Sequence, residues 1–260
     1  MRRFLTSIGL MGLAWFIAAP ALAQTDFEWT GQLAPGQSIE IIGVNGSIHA
    51  AAARGGNVAV TAVKTAGRSN PAEVRIETIA HAGGVTVCAI YPSPDGREPN
   101  ECRPGGRGRN NTKNNDTRVD FTVQVPAGIG LLARTVNGSI DAEGLQGDAD
   151  GTTVNGSVDI STTGSARATT VNGSINASMD RAVWPNGAKF TTVNGGVTVR
   201  LPAVLNADVR LSTVTGGIQS DFPLNIATDP GPKHAEGVLG GGGQRLDVTT
   251  VNGSISLLRR

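Results

Sequence analysis

Few residues in this chain have the types and spacing that chemistry needs. The three histidines, His49, His81 and His234, stand apart, with no second His, Cys or carboxylate at metal-ligand spacing. A Ser-His-Asp site assembles from distant positions and leaves no spacing of its own. Nothing here resembles a nucleophile elbow, and each Ser that follows Asn-Gly is explained by its turn. Asp148-Ala149-Asp150-Gly151 opens like a calcium loop, but the later ligands are missing. Gly240–Gly243 followed by Asp247 matches one unit of a calcium-binding nonapeptide array; such sites need stacked copies, and this one occurs once. The reading is therefore of no catalytic, cofactor or metal site. Two cysteines remain, Cys88 and Cys102. Outside the cytoplasm a disulfide between them is the default. It closes a loop of about 15 residues, worth roughly 3 kcal/mol on the chain-entropy account.

The elements that would position these groups are set by a repeat. Val-Asn-Gly-Ser-Ile stands at Val44–Ile48, Val136–Ile140, Val171–Ile175 and Val251–Ile255, with variants at Val154–Val158, Val193–Val197 and Val214–Ile218. Asn-Gly readily takes positive φ, so each copy predicts a sharp bend. The flanks alternate with period two, as half-buried strands do: Val209, Leu211 and Thr213 share one face before a bend, and Val197, Val199 and Leu201 share one after it. The Val before each Asn is out of phase, which predicts a bulge where two neighbours both face inward. From Val136 the copies begin 18, 17, 22, 21 and 37 residues apart. About 20 residues is one coil of a parallel β-solenoid, whose stacked coils share one core. Stacking would align Asn45, Asn137, Asn155, Asn172, Asn194 and Asn252 as an amide ladder. A row of hairpins in a sandwich is the competing arrangement. N-G-S also fits the N-glycosylation acceptor pattern, but turn chemistry accounts for it.

Met1–Ala23 reads as a secretory leader: Arg2 and Arg3, an apolar Leu10–Ala19, and the cleavage signal Ala21-Leu22-Ala23, with the mature chain starting at Gln24. No other apolar run reaches spanning length. The expected address is outside the cytoplasm, in the periplasm or at the cell surface. Without Arg2 and Arg3, 20 basic residues face 21 acidic ones. Such a balance does not suit tracking of nucleic acid or an anionic membrane. Gly is 36 of 260 residues and aromatics only 4%, which suits a turn-rich β protein with thin core layers.

After the leader, residues 24–260 read as one domain. Residues 24–126 hold less regular strands: Ser38–Ile42, Asn57–Lys64, Glu73–Ile79, Gly84–Tyr91 and Thr117–Val125. They make either irregular coils or a small sheet capping the stack. Residues 127–260 carry the regular coils, broken at Pro223–Gln244. Pro92–Asn115 is nearly free of apolar residues and predicts a long mobile loop. Its Arg97, Arg103, Arg107, Arg109 and Lys113 could contact an acidic partner such as an anionic glycan, or could simply be solvated. The outward Thr152, Thr169, Thr191, Ser212 and Thr249 would form a column of small hydroxyls interrupted by Arg134. Such columns can hold regular surfaces but are more often ordinary strand residues on a wet face.

Val119–Ala142, Val197–Ile218 and Gly240–Leu257 share the form strand, Pro or Gly turn, strand, Thr-Val-Asn-Gly-Ser-Ile or a variant of it. In this the chain resembles the adhesin-like DUF4097 family of β-strand-repeat proteins. The resemblance implies an exported bacterial β-solenoid of mostly unassigned molecular role. The expectation is thus an all-β, parallel, single-stranded β-helix-like solenoid. Its expected role is non-catalytic, as an adhesin-like binding or structural module of the envelope, with a glycan or another envelope protein as partner. A carbohydrate-active β-helix enzyme, such as a polysaccharide lyase or hydrolase, and a regulatory partner in envelope stress sensing are the alternatives. The coil exteriors are mostly Thr, Ser, Asn and Ala, which weighs against the enzyme.

Overall fold

The computed structural model describes residues 26–94, 96, 98–227 and 231–260. The expected leader at Met1–Ala23, the mature start at Gln24, and Arg97 lie outside them. Strand β1 (Phe27–Gly31) precedes a first coil, β2 (Ser38–Ile42) and β3 (Ile48–Ala52). Next come β4 (Val58–Thr65), β5 (Arg75–His81) and a second coil, β6 (Gly84–Ile90) with β7 (Arg118–Val125). Four coils follow in succession: β8 (Gly130–Arg134) with β9 (Ile140–Leu145), β10 (Ala149–Thr152) with β11 (Val158–Thr162), β12 (Ala166–Thr169) with β13 (Ile175–Met179), and β14 (Ala188–Thr191) with β15 (Val197–Leu201). The chain closes with β16 (Ala207–Thr215), β17 (Ile218–Ser220), β18 (Asn225–Ile226), β19 (Lys233–Leu239), and a last coil, β20 (Arg245–Asn252) with β21 (Ile255–Arg259).

The first strands of the coils form a front sheet ordered β18-β19-β16-β20-β14-β12-β10-β8-β2-β6-β5. The second strands form a back sheet ordered β1-β4-β7-β3-β9-β11-β13-β15-β21-β17. Each bend joins one sheet to the other, and coil-to-coil pairing is parallel, as in β10 with β12 and β11 with β13. The protein is an all-β parallel solenoid, and the hairpin row is excluded. Antiparallel strands close the ends: β4 on β7, β1 on β4 and β5 on β6 at one end, β19 on β16 and β18 on β19 at the other. They blunt edges that would otherwise template further pairing.

The stack does not follow chain order. The first coil, β2 and β3, lies between β6 with β7 and β8 with β9. The last, β20 and β21, lies between β14 with β15 and β16 with β17. Both chain-terminal coils are therefore held on two sides. The less regular N-terminal part supplies two full coils as well as capping strands.

Between the sheets the core is thin and complementary. Ile41, Ala133, Gly151, Ala168, Phe190, Val248 and Leu211 form one inward row of the front sheet. Where that row is small, the back sheet is large: a Cβ on Gly151 would meet Val158 Cγ1 at 2.7 Å. Each buried Ile or Val, such as Ile140, Val158 and Ile175 at 1% exposure or less, contributes roughly 1.5–3 kcal/mol.

The bends overturn two sequence expectations in most copies. Among the described residues, Asn114 is the only non-glycine with positive φ, so no motif asparagine adopts the hairpin-turn conformation. Three motif glycines, Gly46, Gly195 and Gly216, do have positive φ, but what the motif glycines share is proximity. A Cβ on Gly138 would lie 1.9 Å from Gly46 O, one on Gly156 2.1 Å from Gly138 O, and one on Gly173 2.0 Å from Gly156 O. Outside the first copy, where Gly43 replaces the Thr and Val44 is buried in the core, the valine does not face inward either. Val136, Val154, Val171, Val193 and Val251 are 36–38% exposed, while Thr135, Thr153, Thr170, Thr192 and Thr250 are buried. Ordinary alternation points the Thr in, and Val-Asn-Gly-Ser then travels round the outside. Each buried Thr gives its hydroxyl proton to a motif carbonyl one coil away: Thr153 to Gly138 O at 2.9 Å, Thr170 to Gly156 O at 2.9 Å.

The second coil has no Asn-Gly bend. A longer connection replaces it, and its described residues 98–115 fold back as a flap over the outer face of the front sheet, with Gly105 on Glu40 and Cys102 on Cys88. Cys88 and Cys102 are joined by a disulfide with a Cα–Cα distance of 5.7 Å. Together with Ile90, Ile42 and Ile79 they form an apolar cluster outside the main core. Asn100, buried in the flap, donates to Tyr91 O at 2.8 Å and accepts from Asn111 N at 2.9 Å. These are the contacts of a packed flap rather than the mobile loop expected from composition; a few amides and one disulfide do what apolar residues would otherwise do. Tyr91 fills the vacated bend, donating to Thr117 O at 2.8 Å, and burial pushes its hydroxyl up to about 12.

Two outcomes follow from these contacts. Gly156→Ala should lower the unfolding free energy by about 3 kcal/mol or more, since backbone rather than a flexible side chain must move. Gly55→Ala, where a Cβ meets nothing within 4 Å, should change it by less than about 0.5 kcal/mol; urea titration of both variants checks this. Reduction of Cys88–Cys102 should cost roughly 3 kcal/mol at most and admit trypsin at Arg103, Arg107 and Arg109 while the far-UV spectrum of the coils persists.

Candidate functional site: the outer face of the front sheet

The asparagine ladder runs the length of the bends. Asn137 Nδ2 donates to Asn45 Oδ1, and Asn155, Asn172, Asn194 and Asn252 each donate to the previous member, all at 2.8 Å. It is a structural column. Every member has its acceptor or donor spent along the axis, and the column ends at Thr215, which pairs with Asn252.

The flap covers the one deeply buried acid among the described residues of the outer face. Glu40, 3% exposed, accepts from Thr86 Oγ1 at 2.9 Å, from Gly105 N at 2.8 Å and from Arg134 Nε at 3.3 Å. Gly83 N donates to His81 Nδ1 at 3.2 Å, so the ring proton is on Nε2 and goes to Thr86 Oγ1 at 3.1 Å. Donation runs His81 to Thr86 to Glu40. A base that activates a hydroxyl nucleophile needs the reverse. The trio is an anchor for the flap, with each buried polar atom paired. No spacing pattern pointed to it, because Glu40 and Thr86 meet only through the register of β2 with β6.

Of the flap cations, Arg103 is paired with Glu101 at 2.9 Å and Arg109 with Glu98. Arg107 and Lys113 are exposed, Lys113 beside an open hollow of about 820 Å³ with Arg68, Asn70 and Asp116. Half of the loop's described positive charge is thus answered by its own glutamates, which weakens its pull on an anionic partner.

Beyond the flap the outer face is open. One row places Leu132, Asp150, Arg167, Lys189, Asp247 and Arg210 on successive strands. The hydroxyl row beside it runs Thr152, Thr169, Thr191, Thr249, Ser212, with Arg134 before Thr152. The interleaved last coil puts Thr249 ahead of Ser212.

Between β8 and β12 this face is indented by a cleft of about 370 Å³. Gly130 keeps its floor low, for a Cβ there would meet Ser38 Oγ at 2.6 Å. Leu132 and Ala149 line it, with Asp148, Asp150, Arg167 and Asn186 around them. The two acids of the suspected calcium loop lie at the start of β10, pointing outward as residues i and i+2 of a strand do. Among the described residues no group of three or more His, Cys, Asp or Glu is placed to hold a metal. Asp148 is occupied, accepting from Ser165 N at 2.8 Å and Asn186 Nδ2 at 3.3 Å. Burial holds the Asp150 carboxyl above its ordinary range, against the lowering pull of Arg134 and Arg167. On the back sheet, His49 Nδ1 meets Asp141 Oδ2 at 3.0 Å on the open outer face.

The family model described as Toastrack DUF4097 matches residues 128–258. Solved structures that resemble the chain include one described as a candidate cell adhesion protein from Clostridium sporogenes, with 12% identity and a TM-score of 0.46, covering 91% of this chain and 100% of that one. Another is described as a candidate adhesin from Bacteroides fragilis, with 12% identity and a TM-score of 0.37, covering 89% of this chain and 96% of that one. No curated protein matches. The family match spans just over half of the chain and takes in five of its Val-Asn/Thr-Gly bends and their stacked coils together with the last: the chain belongs to the DUF4097 toastrack family.

Proposed function

We propose that this protein is a non-catalytic, adhesin-like module of the cell envelope that holds a repetitive saccharide against the outer face of its front sheet. The carrying observation is the regularity of that face. Polar side chains recur in register on β8, β10, β12, β14, β20 and β16, at the strand spacing of about 4.8 Å, on a stack whose bends are packed backbone to backbone. A rigid periodic surface suits a periodic polymer, since little ordering entropy is lost on contact. A buried disulfide supports an address outside the cytoplasm. Glu40, the acid best shielded from water, is spent on three donors and covered by the flap, which favours binding over turnover.

The test is retention on an array of neutral, amino and anionic envelope oligosaccharides. The wild type should be retained, and Thr169→Arg, which raises a long cation from the middle of the front face, should weaken retention at least tenfold with an unchanged melting temperature. Thr198→Arg on the back sheet should leave it unaltered. Absence of retention, equal loss in both variants, or turnover of any oligosaccharide would overturn the reading.

A further inference from the structure

We infer that the cleft between β8 and β12 is a subsite for a single neutral pyranose unit, with Asp150 and Arg167 reading adjacent sugar hydroxyls. This rests on the saccharide-binding reading above and names where on the face, and by what chemistry, a sugar is held.

Asp150 and Arg167 are register partners on neighbouring strands, about 4.8 Å apart along the stack. No ion pair joins them. Arg167 is instead tethered through its guanidinium to Asn186 O, which leaves donors of its planar fork free. The carboxylate of Asp150 keeps acceptor capacity in a partly desolvated setting. An acceptor and a donor set side by side match a hydroxyl pair, because each sugar hydroxyl both donates and accepts. Asn186 adds a carboxamide at the wall, and Leu132 offers an apolar patch for ring C–H groups. Ser165, 4% exposed, lines the same cleft and its Oγ has no hydrogen-bond partner.

The wall is a built feature. The connection from β13 to β14 is longer than those from β9 to β10 and from β11 to β12. It returns over β12 to bring Asn186 to Asp148 at 3.3 Å. Charge then selects the ligand class. Two carboxylates line the cleft against one guanidinium, with Arg134 at its edge already paired to Glu40; this disfavours an anionic sugar, and the guanidinium disfavours a simple cation. A neutral sugar meets neither penalty. The volume of about 370 Å³ lies at the small end of ligand sites, enough for one ring and open along the row for its neighbours.

Titration calorimetry of the whole mature chain with maltotriose, cellotriose, mannotriose and chitotriose, and with trigalacturonate as the anionic comparator, tests this. At least one neutral trisaccharide should bind, and Asp150→Asn and Arg167→Gln should each weaken it about tenfold or more at unchanged melting temperature. Lys189→Gln, one strand beyond the cleft, should bind as wild type does. Unaltered binding in both cleft variants, preference for trigalacturonate, or no trisaccharide binding by a chain that the array retains would overturn the subsite and leave the face reading standing. No retention on the array and no binding here would remove both.

Discussion

The architecture depends on the close approach between the backbones of successive bends. Each motif glycine after Gly46 sits so near the carbonyl of a neighbouring coil's motif glycine that a single carbon could not be placed there: 1.9 Å at Gly253 over Gly195, 2.1 Å at Gly216 over Gly253; at Gly46 the carbonyl is that of Val119, at 2.2 Å. From Gly46 to Gly195 the N–H of the motif glycine reaches the Asn carbonyl of the next coil, as Gly156 does to Asn172 O at 3.0 Å, and Gly253 N reaches Thr215 O at 2.8 Å. Parallel pairing thus continues through the bend rather than stopping at the strand ends. The remaining letters of the motif follow. Thr closes the inside with a hydroxyl to a carbonyl, Asn closes the outside with a side-chain amide, and the final Ile or Val returns to the core. Backbone polar groups at a corner would otherwise be left to water or buried unpaired.

Interleaving protects what stacking builds. In a simple solenoid the terminal coil is also the chain end, free to fray. Here the coils at either end of the stack, β6 with β7 and β16 with β17, are internal to the chain. The first and last coils are clamped between neighbours. Phe222 and Leu224 close one end of the core and Phe27 and Trp29 pack at the other. The cost is in sequence separation: β20 and β21 pair with β14 and β15 as well as with β16 and β17, and such long-range pairings slow folding.

Much of the fold was legible because stacking leaves a period. The bends, their copies at Val136 through Val251, the amide ladder and the pairing of Cys88 with Cys102 could all be read from residue types and spacing. The order of the coils could not, since a jump over one coil leaves each local pattern intact. Positive φ at Asn-Gly holds for the glycines of three copies, Gly46, Gly195 and Gly216, and for no motif asparagine: glycine's conformational freedom and its lack of a Cβ both select it, and only the neighbouring coil tells them apart. The inward Val failed wherever a Thr beside it already fills the inward position, and held at Val44, where Gly43 stands instead. The flap looked mobile because its composition is polar, yet Asn100, Asn110 and the Glu40 carboxylate hold it by hydrogen bonds that composition does not announce. The cleft was invisible for the same cause as the Glu40 anchor. Asp150, Arg167 and Asn186 are brought together by register and by one longer connection, not by spacing, and the Asp-Ala-Asp-Gly run that did attract notice pointed to calcium.

Amide hydrogen exchange measured residue by residue tests the backbone-to-backbone bend most directly. Gly138, Gly156, Gly173 and Gly195 lie at the surface, yet each N–H is predicted to exchange as slowly as that of Ile140 or Val158 in the adjoining strands. Exchange at the rates of open loops, with Ile140 and Val158 still protected, would show that the bends are separate turns and contradict the continuous stack.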